Sequence, residues 1–150
     1  MLTDLQVITR LILAVVLSGL IGLERQLHKR TAGLRTHILV SLGSCLIMLT
    51  SLYVFDIYKE AANLDPSRIA AGVITGIGFL GAGTIIRDRE GVRGLTTAAS
   101  LWVVAGIGLA SGCGFKRAAV YVTFLTLIVL FFLRYVENYI FFKESKKVSK

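Results

Sequence analysis

Five long stretches of this 150-residue chain contain no charged residue, and their length limits what the chain can fold into. The three central stretches, residues 38–55, 69–86 and 94–115, contain 18, 18 and 22 residues. A helix of about 20 apolar residues crosses the hydrocarbon core of a bilayer. Because lipid offers the backbone no hydrogen-bond partners, only helices and closed barrels span it, and these stretches are too long and too uniform for barrel strands. We therefore predict transmembrane helices.

The two outer stretches are shorter, with 13 residues at 11–23 and 16 residues at 118–133. Each reaches a full span only if a flanking arginine, Arg10 or Arg134, extends its guanidinium to the membrane surface. Hydrophobic residues make up 55% of the chain and charged residues only 17%, which favours lipid as the main solvent of its surface. We predict an all-α integral membrane protein with one domain over residues 1–136. Its five transmembrane helices are expected near residues 5–23, 38–56, 69–86, 95–113 and 118–136.

The distribution of basic residues predicts the orientation of the chain. With five spans, the loops at 24–37 and 87–93 and the segment from residue 134 onward share one side, which holds twelve Lys and Arg residues against four on the other. The positive-inside rule then places the N-terminus outside and the C-terminus in the cytoplasm. This asymmetry accounts for the net charge of +8, so we expect no nucleic-acid partner. The basic cytoplasmic tail, residues 137–150, suits anionic lipid headgroups, and a plain orientation anchor is an equally good interpretation.

Glycines in the third and fourth spans indicate close helix packing. Gly72, Gly76 and Gly83 fall within about 40° of one another on a helix of 3.6 residues per turn, and form a small-residue groove. Gly108 and Gly112 offer a similar face in the fourth span. The groove predicts contact with another span or with a second subunit, and we expect a homodimer.

The sequence does not predict an enzyme, a cofactor or a metal site. Gly76, Gly78 and Gly81 match G-x-G-x-x-G, but they lie inside a membrane span without the βαβ unit that gives this motif its dinucleotide-binding role. His28 and His37, with no companion cysteine, do not form a metal-binding pattern. No nucleophile and base stand together, so we expect no catalytic residues.

Polar residues in the spans are mostly hydroxyls, and no carboxylate lies in the central part of any span. We expect most of the hydroxyls to donate hydrogen bonds between helices. Ion pathways usually contain intramembrane carboxylates or histidines, so a pathway through one copy of the chain is poorly supported. The hydroxyls are Ser41, Ser44, Thr50, Ser51, Thr75, Thr84, Thr96, Thr97 and Ser100.

Charged residues gather where the spans meet the predicted cytoplasmic face. Glu24 and Arg25 end the first span, Arg35 begins the second, and Arg93 precedes the fourth. A carboxylate at the hydrocarbon boundary needs a partner, and Arg35 or Arg93 could pair with Glu24 through two hydrogen bonds. We predict a functional cytoplasmic rim of these four residues, and the alternative is an ordinary set of positive-inside loops.

Four segments resemble the MgtC/SapB family of bacterial membrane proteins: GLERQ at 22–26, AGLRTH at 32–37, GIGFLGAG at 76–83 and VRGLTTAASLW at 92–102. The resemblance implies a five-helix inner-membrane domain, an association with magnesium limitation and, in pathogens, with survival inside phagocytes. It also implies modulation of membrane partners such as the ATP synthase. It adds Thr36 and Thr97 to the rim, and Gly81 and Trp102 to the packing residues. The family pattern falls on Glu24, Arg25, Gly33, Arg35, Thr36, Gly81, Gly83, Arg93, Gly94, Thr97 and Trp102.

Longer members of that family carry a cytoplasmic C-terminal domain that resembles the ACT fold, and we expect this chain to be a short form without it. The resemblance favours a non-enzymatic inner-membrane protein that modulates magnesium, other ion or energy homeostasis through a membrane protein partner. The alternative is a divalent-cation transporter or channel for magnesium, with a pathway at a subunit interface. The lack of carboxylates in the middle of the spans favours modulation over transport.

Overall fold

The computed structural model of the chain describes residues 2–60, 64–89 and 91–148, with side chains described as far as residue 133 and for Tyr135. It confirms the all-α class with five helices. A short hairpin separates the third helix from the fourth. The elements are α1 (Asp4–Leu27), α2 (Leu34–Tyr58), α3 (Ser67–Gly83), β1 (Ile86–Asp88), β2 (Gly91–Arg93), α4 (Leu95–Cys113) and α5 (Lys116–Val148).

Four of the helices, α1, α2, α4 and α5, are long and apolar enough to cross a membrane. The fifth, α3, has 17 residues, about 25 Å at 1.5 Å per residue, which is the lower limit for a span. It ends at Gly83 and not at residue 86 as expected, because the chain turns at Thr84 into the hairpin. At the other end of the chain, α5 continues as helix through the segment predicted as a tail. The tail side chains beyond Tyr135, and residues 149–150, lie outside the described residues.

Helix α4 lies at the centre of the bundle and packs against the other four helices. Its residues Val104 and Ile107 are buried with Leu17 and Ile21 of α1 and Ala119 of α5 in one apolar cluster. A second cluster joins α4 to α3. The middle of α4 carries no charge, so it can be enclosed on all sides without leaving an unpaired ion in lipid.

Two glycines let α4 approach the backbone of α2. A Cβ at Gly112 would lie 2.7 Å from the Cys45 carbonyl oxygen, and one at Gly108 would overlap the Ser41 carbonyl oxygen. Only glycine allows this approach, as in other small-residue contacts between membrane helices. The predicted packing face of α4 therefore does pack, and its partner is α2.

The predicted groove on α3 has a different environment. A Cβ added at Gly72, Gly76 or Gly83 would meet no atom within 4 Å, so within the described chain these glycines do not pack tightly against another span. Gly81 does face α4, where a Cβ would lie 3.7 Å from that of Ala98. Trp102, also expected to pack, is 54% exposed on the outside of α4. The helical period of 3.6 residues correctly places these glycines on one face of α3, but it does not determine whether that face points into the bundle.

Polar side chains in the helices bond mainly to their own backbone. Ser18 donates to the carbonyl of Ala14, Ser44 to Val40 and Thr123 to Ala119, each one turn earlier. Among the hydroxyls expected to bond between helices, Ser44 and Thr84 follow this pattern. Three others do reach another element: Ser41 donates to the Ala14 carbonyl of α1, Ser51 donates to the Pro66 carbonyl, and Ser100 contacts His37 of α2. The Arg10 Nη1 donates to the Gly112 carbonyl at 2.7 Å, so this guanidinium caps the C-terminal end of α4.

Two substitutions on α4 test the backbone contact. Gly108→Ala places a methyl group against the Ser41 carbonyl and should lower the free energy of unfolding by about 1–3 kcal/mol through overpacking. Gly106→Ala is the matched control, because a Cβ there meets no atom within 4 Å. Thermal unfolding in detergent should show a lower midpoint for the first variant and an unchanged or slightly higher midpoint for the second. Equal midpoints would contradict the proposed contact.

Candidate functional site

A buried ion pair lies in the last turn of α1, at the predicted cytoplasmic boundary. Glu24 and Arg25 are 3% and 2% exposed. The Arg25 Nε donates to Glu24 Oε2, and Arg25 Nη2 donates to Glu24 Oε1 at 2.9 Å. The His28 Nδ1 lies 2.8 Å from the same Oε1 atom. Both carboxylate oxygens are therefore engaged by side chains of one helical turn.

The fork between neighbouring residues is unusual, because side chains at i and i+1 normally point to different faces of a helix. Glutamate and arginine are long enough to bend toward each other, and both then lie inside the bundle. A buried carboxylate without a partner would be strongly destabilising, and a guanidinium matches its two oxygens geometrically. The pair thus removes the net charge that would oppose burial at this depth.

Beside the ion pair, α1 and α2 are in close contact. A Cβ at Gly22 would lie 2.9 Å from both the His37 Cβ and the Leu34 Cα, so glycine is needed where the helices cross. This histidine is fully buried near the start of α2.

His37 connects α2 to α4. Its Nδ1 lies 2.9 Å from the Gly33 carbonyl oxygen, and its Nε2 lies 3.0 Å from the Ser100 Oγ. A carbonyl only accepts, so Nδ1 carries the proton, and Nε2 of a neutral ring accepts from the Ser100 hydroxyl. The same hydroxyl lies 2.8 Å from the Thr97 carbonyl oxygen, which is its alternative acceptor.

His28 connects the ion pair to α5. It caps the end of α1, and its ring contacts Phe131 edge-on, with centroids 6.1 Å apart and planes at 75°. The cluster formed by Glu24, Arg25, His28, His37 and Ser100, called here the boundary cluster, therefore touches elements α1, α2, α4 and α5.

The other predicted rim residues lie outside the boundary cluster. Arg35 and Thr36 are exposed at the start of α2, whereas Thr97 is buried in α4. Arg93 is exposed in β2, with its Nε 3.8 Å from Asp88 Oδ2. The predicted pairing of Glu24 with Arg35 or Arg93 was wrong, because Arg25 of the same helix reaches the carboxylate first.

Sequence reasoning missed two members of the boundary cluster, His28 and His37, and included Ser100 only among the hydroxyls expected to bond between helices. Both histidines had been considered only as metal ligands. The spacing of four residues between Glu24 and His28 was the available signal, since residues at i and i+4 are neighbours on a helix. No pattern in the sequence paired His37 with Ser100, which are 63 residues apart. Among the residues that the structure describes, no group of three His, Cys, Asp or Glu side chains could hold a metal ion.

Comparison with known proteins identifies relatives over most of the chain. A model of the MgtC family matches residues 11–139. The chain is 50% identical over 125 residues to "Putative magnesium transporter YhiD" of Escherichia coli K12, an alignment that covers 82% of this chain and 58% of that protein. It is 44% identical over 127 residues to "Protein MgtC" of Salmonella typhimurium LT2, covering 85% of this chain and 52% of that protein.

A third relative, an uncharacterized protein of Haemophilus influenzae, is 36% identical over 148 residues, which is 96% of this chain and 62% of that protein. The chain thus spans between about half and three fifths of the length of the curated relatives that it matches. No solved structure matches its fold.

The boundary cluster predicts a large difference between two conservative substitutions. Glu24→Gln leaves the buried Arg25 without its charge partner, and the free energy of unfolding should fall by about 3–5 kcal/mol. Asp88→Asn breaks an exposed pair with Arg93 and should change the same quantity by about 0–1 kcal/mol. Unfolding in detergent measures both. A Glu24→Gln variant as stable as Asp88→Asn would mean that the buried pair does not hold the helix ends together.

Proposed function

The chain belongs to the MgtC family, and from that premise we propose that it acts in magnesium homeostasis as a multi-pass protein of the bacterial inner membrane. The observation that carries this proposal is its 50% identity to YhiD of Escherichia coli, whose name associates that protein with magnesium transport. The finer proposal is a non-enzymatic role, in which the protein modulates ion or energy homeostasis through membrane partners and does not itself carry the ion.

The chemistry inside the bundle supports modulation. Magnesium prefers octahedral oxygen ligands and gives up its hydration water reluctantly, so a pathway needs several available oxygens. Within the described residues, both carboxylate oxygens of Glu24 accept hydrogen bonds from Arg25, and His28 Nδ1 lies 2.8 Å from Oε1. The hydroxyls of Ser18, Ser44 and Thr123 bond to carbonyls of their own helices. One bundle therefore offers a hydrated divalent cation few available ligands.

The open face of α3 supports the proposal of a homodimer. Gly72 and Gly76 line an apolar groove between α2 and α3, together with Gly43, Ile69 and Leu80. Small residues of this kind let a helix from another chain approach closely in lipid. Gly76→Leu should reduce cross-linking between copies in native membranes but leave the fold intact, because its side chain faces open space. Cross-linking that finds only monomers of the unaltered chain would remove the dimer.

Magnesium transport is the second candidate, and the name of YhiD favours it. In a homodimer the groove between α2 and α3 would face the other copy. The one polar side chain among its lining residues is Ser44. A pathway there would use ligands from two copies, which agrees with the scarcity of available oxygens inside one bundle.

Growth under magnesium limitation tests whether the rim functions in the proposed role. In a host that needs a family member for such growth, the unaltered chain should restore it. Arg35→Lys should impair growth at normal membrane abundance if the planar guanidinium binds a carboxylate or phosphate, since lysine keeps the charge but not the geometry. Arg30→Lys is the matched control, because Arg30 is also exposed at this end of the bundle.

Two results separate the interpretations of that experiment. Normal growth with Arg35→Lys and with Glu24→Gln, at normal abundance, would reduce the rim to an orientation signal. Failure of the unaltered chain to restore growth, despite normal abundance, would contradict the proposed role in magnesium homeostasis.

A further inference from the structure

The β1–β2 hairpin projects from the end of the bundle between α3 and α4. Its strands pair antiparallel, with Ile86 opposite Arg93, Arg87 opposite Val92 and Asp88 opposite Gly91. Gly94 fixes the base: its φ is +91°, and a Cβ there would overlap the Thr84 carbonyl group. A side chain is excluded at this position by both conformation and space, so the hairpin leaves the membrane helices in a defined direction.

The hairpin is long enough to cross the headgroup layer of a bilayer. Three strand residues at about 3.3 Å each extend roughly 10 Å. The headgroup region adds about 5–8 Å to each side of the hydrocarbon core. Helix α3 ends and helix α4 begins at the hairpin. The hairpin therefore lies at the depth of the lipid phosphates, whichever side of the membrane it is on.

The side chains of the hairpin combine unpaired positive charge with exposed apolar surface. Arg93 pairs with Asp88, whereas Arg87 and Arg89 are exposed and form no ion pair within the described part of the chain. Val92, opposite Arg87, is 50% exposed, and Ile86 is 56% exposed. The remaining acidic residue of the turn, Glu90, lies outside the described residues.

The surface around the hairpin is also positively charged. Lys29, Arg30 and Arg35 are exposed on the loop after α1 and at the start of α2, which belong to the same end of the bundle. Glu24 does not offset them, since its charge is buried against Arg25. Neither strand packs extensively on a helix of the described chain, and an isolated two-stranded hairpin is only marginally stable in water. A stable hairpin at this position therefore needs a further partner.

We propose that the β1–β2 hairpin is a binding element for anionic phospholipids, in which Arg87 and Arg89 bind headgroup phosphates while Ile86 and Val92 contact the upper acyl region. Guanidinium groups bind phosphate through paired hydrogen bonds, and basic residues near an anionic leaflet are attracted to it. The lipid is favoured over a protein strand because the hairpin joins two apolar helices that we expect to span the membrane, which places its base at the lipid boundary. This inference rests on the membrane location of the chain and not on its proposed role in magnesium homeostasis.

Amide hydrogen exchange of the full chain tests the proposal. The chain is reconstituted in phosphatidylcholine alone and in an equal mixture of phosphatidylcholine and phosphatidylglycerol. Exchange at residues 86–89 and 91–93 should be slower in the anionic mixture. Each neutralised arginine should reduce that protection roughly fivefold, the factor that corresponds to about 1 kcal/mol per basic residue at an anionic surface. The variant Arg87→Gln/Arg89→Gln should therefore lose the protection, and Arg87→Lys/Arg89→Lys should retain part of it.

The matched control is Lys29→Gln/Arg30→Gln, which removes the same charge from the neighbouring loop. Equal protection of the unaltered hairpin in both lipids would overturn the proposal, and this comparison stands even if a variant fails to fold. If the Lys29→Gln/Arg30→Gln variant loses as much protection as Arg87→Gln/Arg89→Gln, the protection comes from the overall charge of this face, and the proposal of a specific binding element is overturned. Protection by inorganic phosphate in phosphatidylcholine alone would indicate a soluble anion, and protection only in native membranes would indicate a protein partner; each would also overturn the proposal.

Discussion

The contact between the backbones of α2 and α4 is the constraint on which the rest of the bundle depends. Gly108 and Gly112 remove the side chains that would otherwise hold these helices apart. Lipid tails are as apolar as leucine, so in a membrane such contacts come from close packing and not from the exclusion of water. The approach places Ser100 of α4 within hydrogen-bond distance of His37 of α2. The polar end of the bundle is thus fixed by an apolar contact farther along the same two helices.

The ion pair between Glu24 and Arg25 lies in the last turn of α1, next to the close crossing of α1 and α2 at Gly22. Because both charges lie on one turn of α1, they can enter the membrane boundary as a neutral pair. No residue from another loop has to be positioned to pair with Glu24. Their burial is tolerated only while both are present, which makes this position sensitive to any change in one partner. His28, whose Nδ1 lies 2.8 Å from Glu24 Oε1, connects the pair to α5 through its ring contact with Phe131.

The membrane helices could be predicted from the sequence, because the length of an uncharged run determines whether a helix can cross the hydrocarbon core. The end of α3 could not be predicted, because Ile85 and Ile86 are as apolar as the span before them. In the structure the chain turns at Thr84, whose carbonyl lies close to Gly94. The glycine spacing predicted two packing faces, but the face on α4 meets α2 whereas the face on α3 remains open. In the candidate site, the buried status of Glu24 and Arg25 was not visible in the sequence, because positive-inside loops contain the same residue types. The partner of Glu24 was missed because neighbouring residues on a helix rarely face each other.

We propose that the chain modulates magnesium homeostasis without carrying the ion itself. Magnesium flux into proteoliposomes that contain only this protein tests this proposal, with an inward gradient and with protein-free vesicles for comparison. We expect the influx to equal that of the empty vesicles, even where cross-linking shows that the protein is present as dimers. Saturable influx that rises in proportion to the protein would contradict it, and would assign the pathway to the chain itself.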